Sequence, residues 1–178
     1  MATTEPRTTG VSAEDLQPLL DGRYASLRRQ VRDVLSRPEF APPAAISTAD
    51  YRRVVLDWMK TIAAEGLTAP GFPVEYGGHD DAGANIAGFE TIAYGDLSLL
   101  VKFGVQFGLW GGAIHRLGTR VHHDRYLRDT GTSELIGCFA MTESGHGSNV
   151  QALETTATYD PETDEFVVHS PTESAHKD

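Results

Sequence analysis

The feature that most constrains the fold of this chain is a change of period near Glu134. Before it, apolar residues recur at helical spacing: Leu16, Leu20, Tyr24, Leu27, Val31 and Val34 in one stretch, Val54, Trp58 and Ile62 in the next. After it the apolar runs are short. Residues 135–141 form a nearly continuous run, long enough for a buried strand and too short for a helix. Residues 155–159 and 165–169 are rich in β-formers and flank the turn cluster Asp160-Pro161-Glu162-Thr163-Asp164, the pattern of a hairpin with a longer loop. Helices followed by strands make an α+β fold. The expected organisation is a flexible tail over residues 1–11, an all-α domain over 12–132 and the first part of a β domain over 133–178. Two-stranded pieces are marginal in water, so the β domain is expected to be incomplete, or completed by another polypeptide.

Capping residues set the helix boundaries. Ser12 with Asp15, and Ser47 with Asp50, resemble capping boxes. Pro18 would break a helix past its first turn, which moves the expected start of the first helix towards residue 17. A third helix is expected over residues 85–94, with Ile86, Phe89 and Ile92 inward. A fourth runs over 97–117 behind Asp96, and a fifth runs from a Thr119 cap to Gly131. Gly104, Gly108 and Gly112 fall on one face of the fourth helix. Each costs about 1 kcal/mol of helix propensity against alanine, and tight packing of another backbone is the expected compensation.

Charge narrows the partners. With 15 basic and 25 acidic residues the formal net charge is −10, which disfavours nucleic acid. Cys138 is the one cysteine, so no disulfide can form within the chain. It reads as a small buried core residue. The first ten residues carry no apolar leader. The most apolar stretch, residues 97–117, is interrupted by Lys102, Gln106, His115 and Arg116, which argues against a membrane span. A cytoplasmic protein is expected. No metal is expected either: His122 and His123 are adjacent, whereas paired ligands on a helix need i, i+4 spacing.

The chemistry concentrates in residues 138–149, Cys-Phe-Ala-Met-Thr-Glu-Ser-Gly-His-Gly-Ser-Asn. A loop rich in glycine and hydroxyl side chains can turn several backbone N–H groups towards one ligand, either a phosphate or a carbonyl-rich ring. A plain polar loop between strands is the competing reading. The segment resembles the flavin-binding signature of the acyl-CoA oxidase and acyl-CoA dehydrogenase superfamily, and Gly145-His146-Gly147-Ser148-Asn149 is closer to the oxidase branch. Residues 71–78, 102–112 and 153–160 resemble further family segments in the expected order.

The resemblance implies an acyl-CoA dehydrogenase-like fold, FAD as cofactor, and α,β-desaturation of an acyl-CoA substrate. It implies that Phe139, Met141 and Thr142 lie along the flavin ring, with Thr142 bonded to its polar edge. Gly147 and Ser148 would lie near the pyrophosphate, with Ser148 also near the CoA end of the substrate, and Gly145 would allow a tight backbone approach. The family's catalytic carboxylate has no counterpart here, so no catalytic residue is assigned. Catalysis is expected to need the missing C-terminal part, a second polypeptide or a homo-oligomer. The alternative is a non-catalytic assembly module derived from the same fold.

Overall fold

The computed structural model describes residues 10–177, so residues 1–9 of the expected tail lie outside the described residues. The chain divides into two compact units between Gly137 and Cys138, a few residues beyond the expected boundary.

The first unit is helical. Helix α1 (Ala13–Asp21) starts behind Ser12, whose Oγ accepts from the Asp15 N–H at 3.1 Å. Pro18 therefore lies inside the helix and not near its start. The bond it forfeits belongs to the carbonyl of exposed Glu14, where water can substitute. The expected single helix from Leu16 to Val34 is broken: Gly22–Tyr24 is a 3₁₀ turn with Gly22 at φ 56°, and α2 (Ala25–Leu35) follows. Helix α3 (Thr48–Ala64) buries Trp58 and Ile62 of the expected stripe together with the neighbouring Val55 and Met59, while Val54 is half-buried. Its Ser47 cap accepts from the Asp50 N–H at 3.1 Å. Ser47→Ala is expected to lower unfolding stability by about 1 kcal/mol, read by urea titration.

Helix α4 (Ala82–Ile92) begins three residues' worth of chain before the expected Asn85, because the Asp81 carboxylate caps it by accepting from Ala84 N–H at 2.9 Å. Asp96 caps the next helix as expected, accepting from Ser98 and Leu99 at 2.8 and 3.0 Å. That helix is not uniform. It runs as α5 (Leu97–Phe103), a π-helical segment (Gly104–Trp110) and α6 (Gly111–Leu117). Leu97–Leu117 is long and apolar enough by length and composition to cross a membrane. In this fold it turns Leu99, Phe103 and Phe107 into the core of the helical unit beside Met59, Ile62 and Ile92. The glycine face is only partly explained by packing. A Cβ at Gly104 would sit 3.0 Å from the Phe89 ring, but at Gly108 and Gly112 it would meet nothing within 4 Å.

Helix α7 (Arg120–Gly131) closes the unit. His122 has a local role, since its Nδ1 accepts from the Thr119 N–H at 3.0 Å to complete the cap. The His123 ring lies against Tyr76 and His115, with Nε2 3.1 Å from the Ile114 carbonyl oxygen.

The second unit holds an antiparallel hairpin, β1 (Thr156–Asp160) and β2 (Glu165–His169), in the register Thr156↔His169 to Asp160↔Glu165. Asp164 supplies a left-handed residue, φ 57°, to the turn, and its carboxylate accepts from the Tyr159 hydroxyl at 2.8 Å. One expectation fails. Residues 135–141 are not a strand and Cys138 is exposed. A buried strand needs a neighbour to take its backbone bonds. Here the contacts to this stretch come instead from the Asp129 carbonyl, the Gln106 amide and the Lys177 ammonium.

Candidate functional site

The loop at residues 142–149 is built around one carboxylate. Glu143 is only 1% exposed. Its Oε2 accepts from Glu154 N–H at 2.8 Å and its Oε1 from Thr155 N–H at 3.0 Å, with Lys177 Nζ at 3.1 Å from Oε1. The Glu154 amide bond does most to hold the Glu143 carboxyl down from the usual 4.5 to about 2; burial opposes the shift, and the bonds from Thr155 and Lys177 add to it. Glu143 is thus an anion at neutral pH that ties the loop to the start of β1.

A tight turn follows, with His146 N–H donating to the Glu143 carbonyl at 2.9 Å. Ser144 N–H donates to His176 O and Gly145 N–H to Ser174 O, both at 2.9 Å. Gly145 is required by this approach, since an added Cβ would lie 2.7 Å from Ser174 Cβ. The close backbone contact expected at Gly145 is therefore made inside the unit. His146 Nε2 lies 3.0 Å from Glu154 Oε1, and the Glu154 carboxylate also accepts from the Thr172 and Ser174 hydroxyls at 2.7 Å each. Those hydroxyls, ahead of His146, hold the Glu154 carboxyl below its ordinary range.

The ligating atoms of Glu143, His146 and Glu154 come within 4.8 Å of one another. Both Glu143 oxygens are already committed, and the Lys177 ammonium occupies the place of a cation. The cluster works as a set of tethers.

Beyond His146 the chain opens. Gly147, Ser148 and Asn149 are exposed, and among the described residues no backbone carbonyl accepts the N–H of Gly147 or Ser148. An added Cβ at Gly147 meets nothing within 4 Å. On the other side of the turn, Thr142 is exposed, and Phe139 and Met141 are 40% and 39% exposed, so neither is the strand core that a buried run would make of them. Phe139, Met141, Thr142, Gly147 and Ser148 thus all sit on open surface within one short, anchored segment.

Sequence reasoning missed Gln106. It is 2% exposed and lies in the π-helical segment. Its Nε2 donates to Leu135 O at 2.8 Å and Thr130 O at 3.2 Å, and its Oε1 accepts from Gly137 N–H at 3.0 Å. Gln106 therefore fixes the last residues of the helical unit. A lone amide in an otherwise apolar helical run was the available signal.

A sequence profile described as acyl-CoA dehydrogenase, N-terminal domain, matches residues 23–134, more than half of the chain. The chain belongs to this family. Within the acyl-CoA dehydrogenase and oxidase superfamily it is 38% identical over 168 residues to the peroxisomal acyl-coenzyme A oxidase 2 of Arabidopsis thaliana. That match covers 94% of this chain and 24% of the relative. Among solved structures, acyl-CoA oxidase1 from Yarrowia lipolytica superposes with a TM-score of 0.72 at 22% identity, covering 93% of this chain and 24% of the other. An acyl-CoA dehydrogenase from Bacillus anthracis, complexed with FAD, superposes with a TM-score of 0.64 at 21% identity, covering 80% of this chain and 24% of the other. At these identities the superpositions establish a shared fold: a helical N-terminal domain followed by the start of a β domain. The chain spans about a quarter of the length of these relatives.

Proposed function

We propose that this chain supplies one wall of an FAD site in an acyl-CoA oxidase-type enzyme that desaturates acyl-CoA thioesters between Cα and Cβ. The observation that carries the reading is the anchored loop, whose open end presents the free N–H groups of Gly147 and Ser148. Unpartnered amides at an exposed turn suit phosphate oxygens, and an exposed Phe139–Met141–Thr142 edge suits a flat ring with a polar rim. The chemistry that bound FAD would supply is hydride acceptance from the substrate. This chain's residues would hold FAD: Phe139 and Met141 against the ring, Thr142 donating to its polar edge, Gly147 and Ser148 to the pyrophosphate, with Ser148 also towards the CoA end of the substrate.

None of these side chains is a base for the α proton. Glu143 is held as an anion inside the unit by bonds that leave it no access to a substrate. The base is proposed to come from further chain, a second polypeptide or another subunit. Our reading of the location is cytoplasmic, although the Arabidopsis relative is named peroxisomal.

The test is titration of the chain with FAD, followed by flavin fluorescence and visible absorbance. Binding with perturbed flavin bands is expected, and Thr142→Ala is expected to weaken it by roughly 3- to 10-fold, the worth of one hydrogen bond. If neither the isolated chain nor the chain purified from its host with partners retained carries flavin, the reading fails in favour of an assembly module.

A further inference from the structure

Three of the tethers on the 142–149 loop involve backbone groups: Glu143 on the amides of Glu154 and Thr155, Ser144 on His176, and Gly145 on Ser174. All of them act before residue 146. The last tether before the free amides of Gly147 and Ser148 is a side chain, His146 Nε2 at 3.0 Å from Glu154 Oε1. Its acceptor is itself fixed, since Glu154 is bonded by the Thr172 and Ser174 hydroxyls at 2.7 Å each. The ring of His146 is about a quarter exposed and the Glu154 carboxylate about a third, so the bond is partly shielded from water without being buried. An added Cβ at Gly147 meets nothing within 4 Å, and two backbone restraints flank the free amides. The His146 N–H on the Glu143 carbonyl at 2.9 Å closes the turn itself, and the Ala152 N–H on the Asn149 carbonyl at 3.1 Å lies beyond them.

We propose that His146 is a positioning residue: its bond to Glu154 fixes the direction of the Gly147 and Ser148 N–H groups and so pre-organises the loop for an anionic ligand. The inference rests on the flavin reading for the identity of that ligand, but the tether itself can be tested without flavin. A pre-formed loop binds more tightly because less ordering is left to do on binding.

The experiment is ¹⁵N relaxation on the full chain, comparing the parent with His146→Ala and with His146→Gln, which keeps a donor within reach of Glu154. In the parent, Gly147 and Ser148 are expected near the rigid-backbone order parameter of about 0.85, and in His146→Ala below about 0.6. His146→Gln is expected to restore rigidity, and all three proteins should share the same β1–β2 amide shifts, which certifies the fold. FAD affinity should fall in His146→Ala and recover in His146→Gln. Unchanged order parameters in His146→Ala would overturn the proposal. So would a loss of FAD affinity in His146→Ala with the loop still rigid, since that marks a direct contact. Absence of flavin from all three proteins, both isolated and purified with partners retained, would overturn the flavin reading alone, with the relaxation result still deciding the tether.

Discussion

Gln106→Leu is expected to destabilise the helical unit by about 1–3 kcal/mol. Leucine fills nearly the same space but offers no polar atoms. The substitution would leave the Leu135 carbonyl, the Thr130 carbonyl and the Gly137 N–H without their side-chain partner. Orphaning a buried polar group costs about 1–3 kcal/mol. The Thr130 carbonyl keeps the Ser133 N–H at 3.2 Å and residues 135 and 137 are half-buried, so the loss is of the order of one such group. Gly137 aggravates the loss. It passes so close to the Trp110 indole that an added Cβ would overlap the ring, so the segment cannot shift inward to find new partners. Trp110 is itself held by its Nε1 donating to the Thr130 hydroxyl at 3.2 Å. Urea unfolding followed by tryptophan fluorescence reads the effect. A loss under 1 kcal/mol would mean that water or backbone relaxation satisfies these groups, and Gln106 would then be an ordinary core residue.

The same region separates what the sequence made legible from what it did not. Ser47 and Asp96 were readable as caps because a cap is a local arrangement: the side chain reaches an amide two or three residues on. Trp58 and Ile62 of the third-helix stripe and the 156–169 hairpin were readable because periodicity reports which side of an element is covered. Residues 135–141 misled for the complementary reason. An apolar run looks the same whether or not a strand lies beside it, and here a buried amide from Gln106 takes the place of a neighbouring strand. The glycines at 108 and 112 carry no sign of whether a partner covers them, and among the described residues an added Cβ at either meets nothing within 4 Å. At the loop, the motif identified the segment and its exposed residues, yet it could not reveal why the loop keeps its shape. That depends on bonds from Glu143 to amides 11 and 12 residues away and on Lys177 beyond the hairpin, pairings that no period connects.

Those bonds make Glu143 the most sensitive position of the second unit. Glu143→Ala is expected to loosen the loop at neutral pH: the Glu154 and Thr155 amides lose their acceptor and Lys177 loses its counter-ion. Amide exchange at Glu154 and Thr155 should accelerate at least about tenfold, since a bond to a charged acceptor is worth more than one decade in the opening equilibrium. The pH dependence has a defined sign. The folded carboxyl titrates at about 2 against the usual 4.5, so the unfolded state takes up the proton first. The stabilisation is complete above pH 4.5 and is lost as the pH falls from there through about 2. Protection of the Glu154 and Thr155 amides in the parent should therefore decline across that window. In Glu143→Gln, which keeps an acceptor but cannot titrate, this particular acid-dependent decline should be absent and the starting protection lower. An acid profile in Glu143→Gln superimposable on the parent's would assign the transition to another carboxyl, with Glu154 the first to test because its own pKa is depressed by Thr172, Ser174 and His146. A parent whose protection is flat down to pH 2 would remove Glu143 as the ionic anchor of the loop and leave the Ser144–His176 and Gly145–Ser174 backbone bonds to hold it.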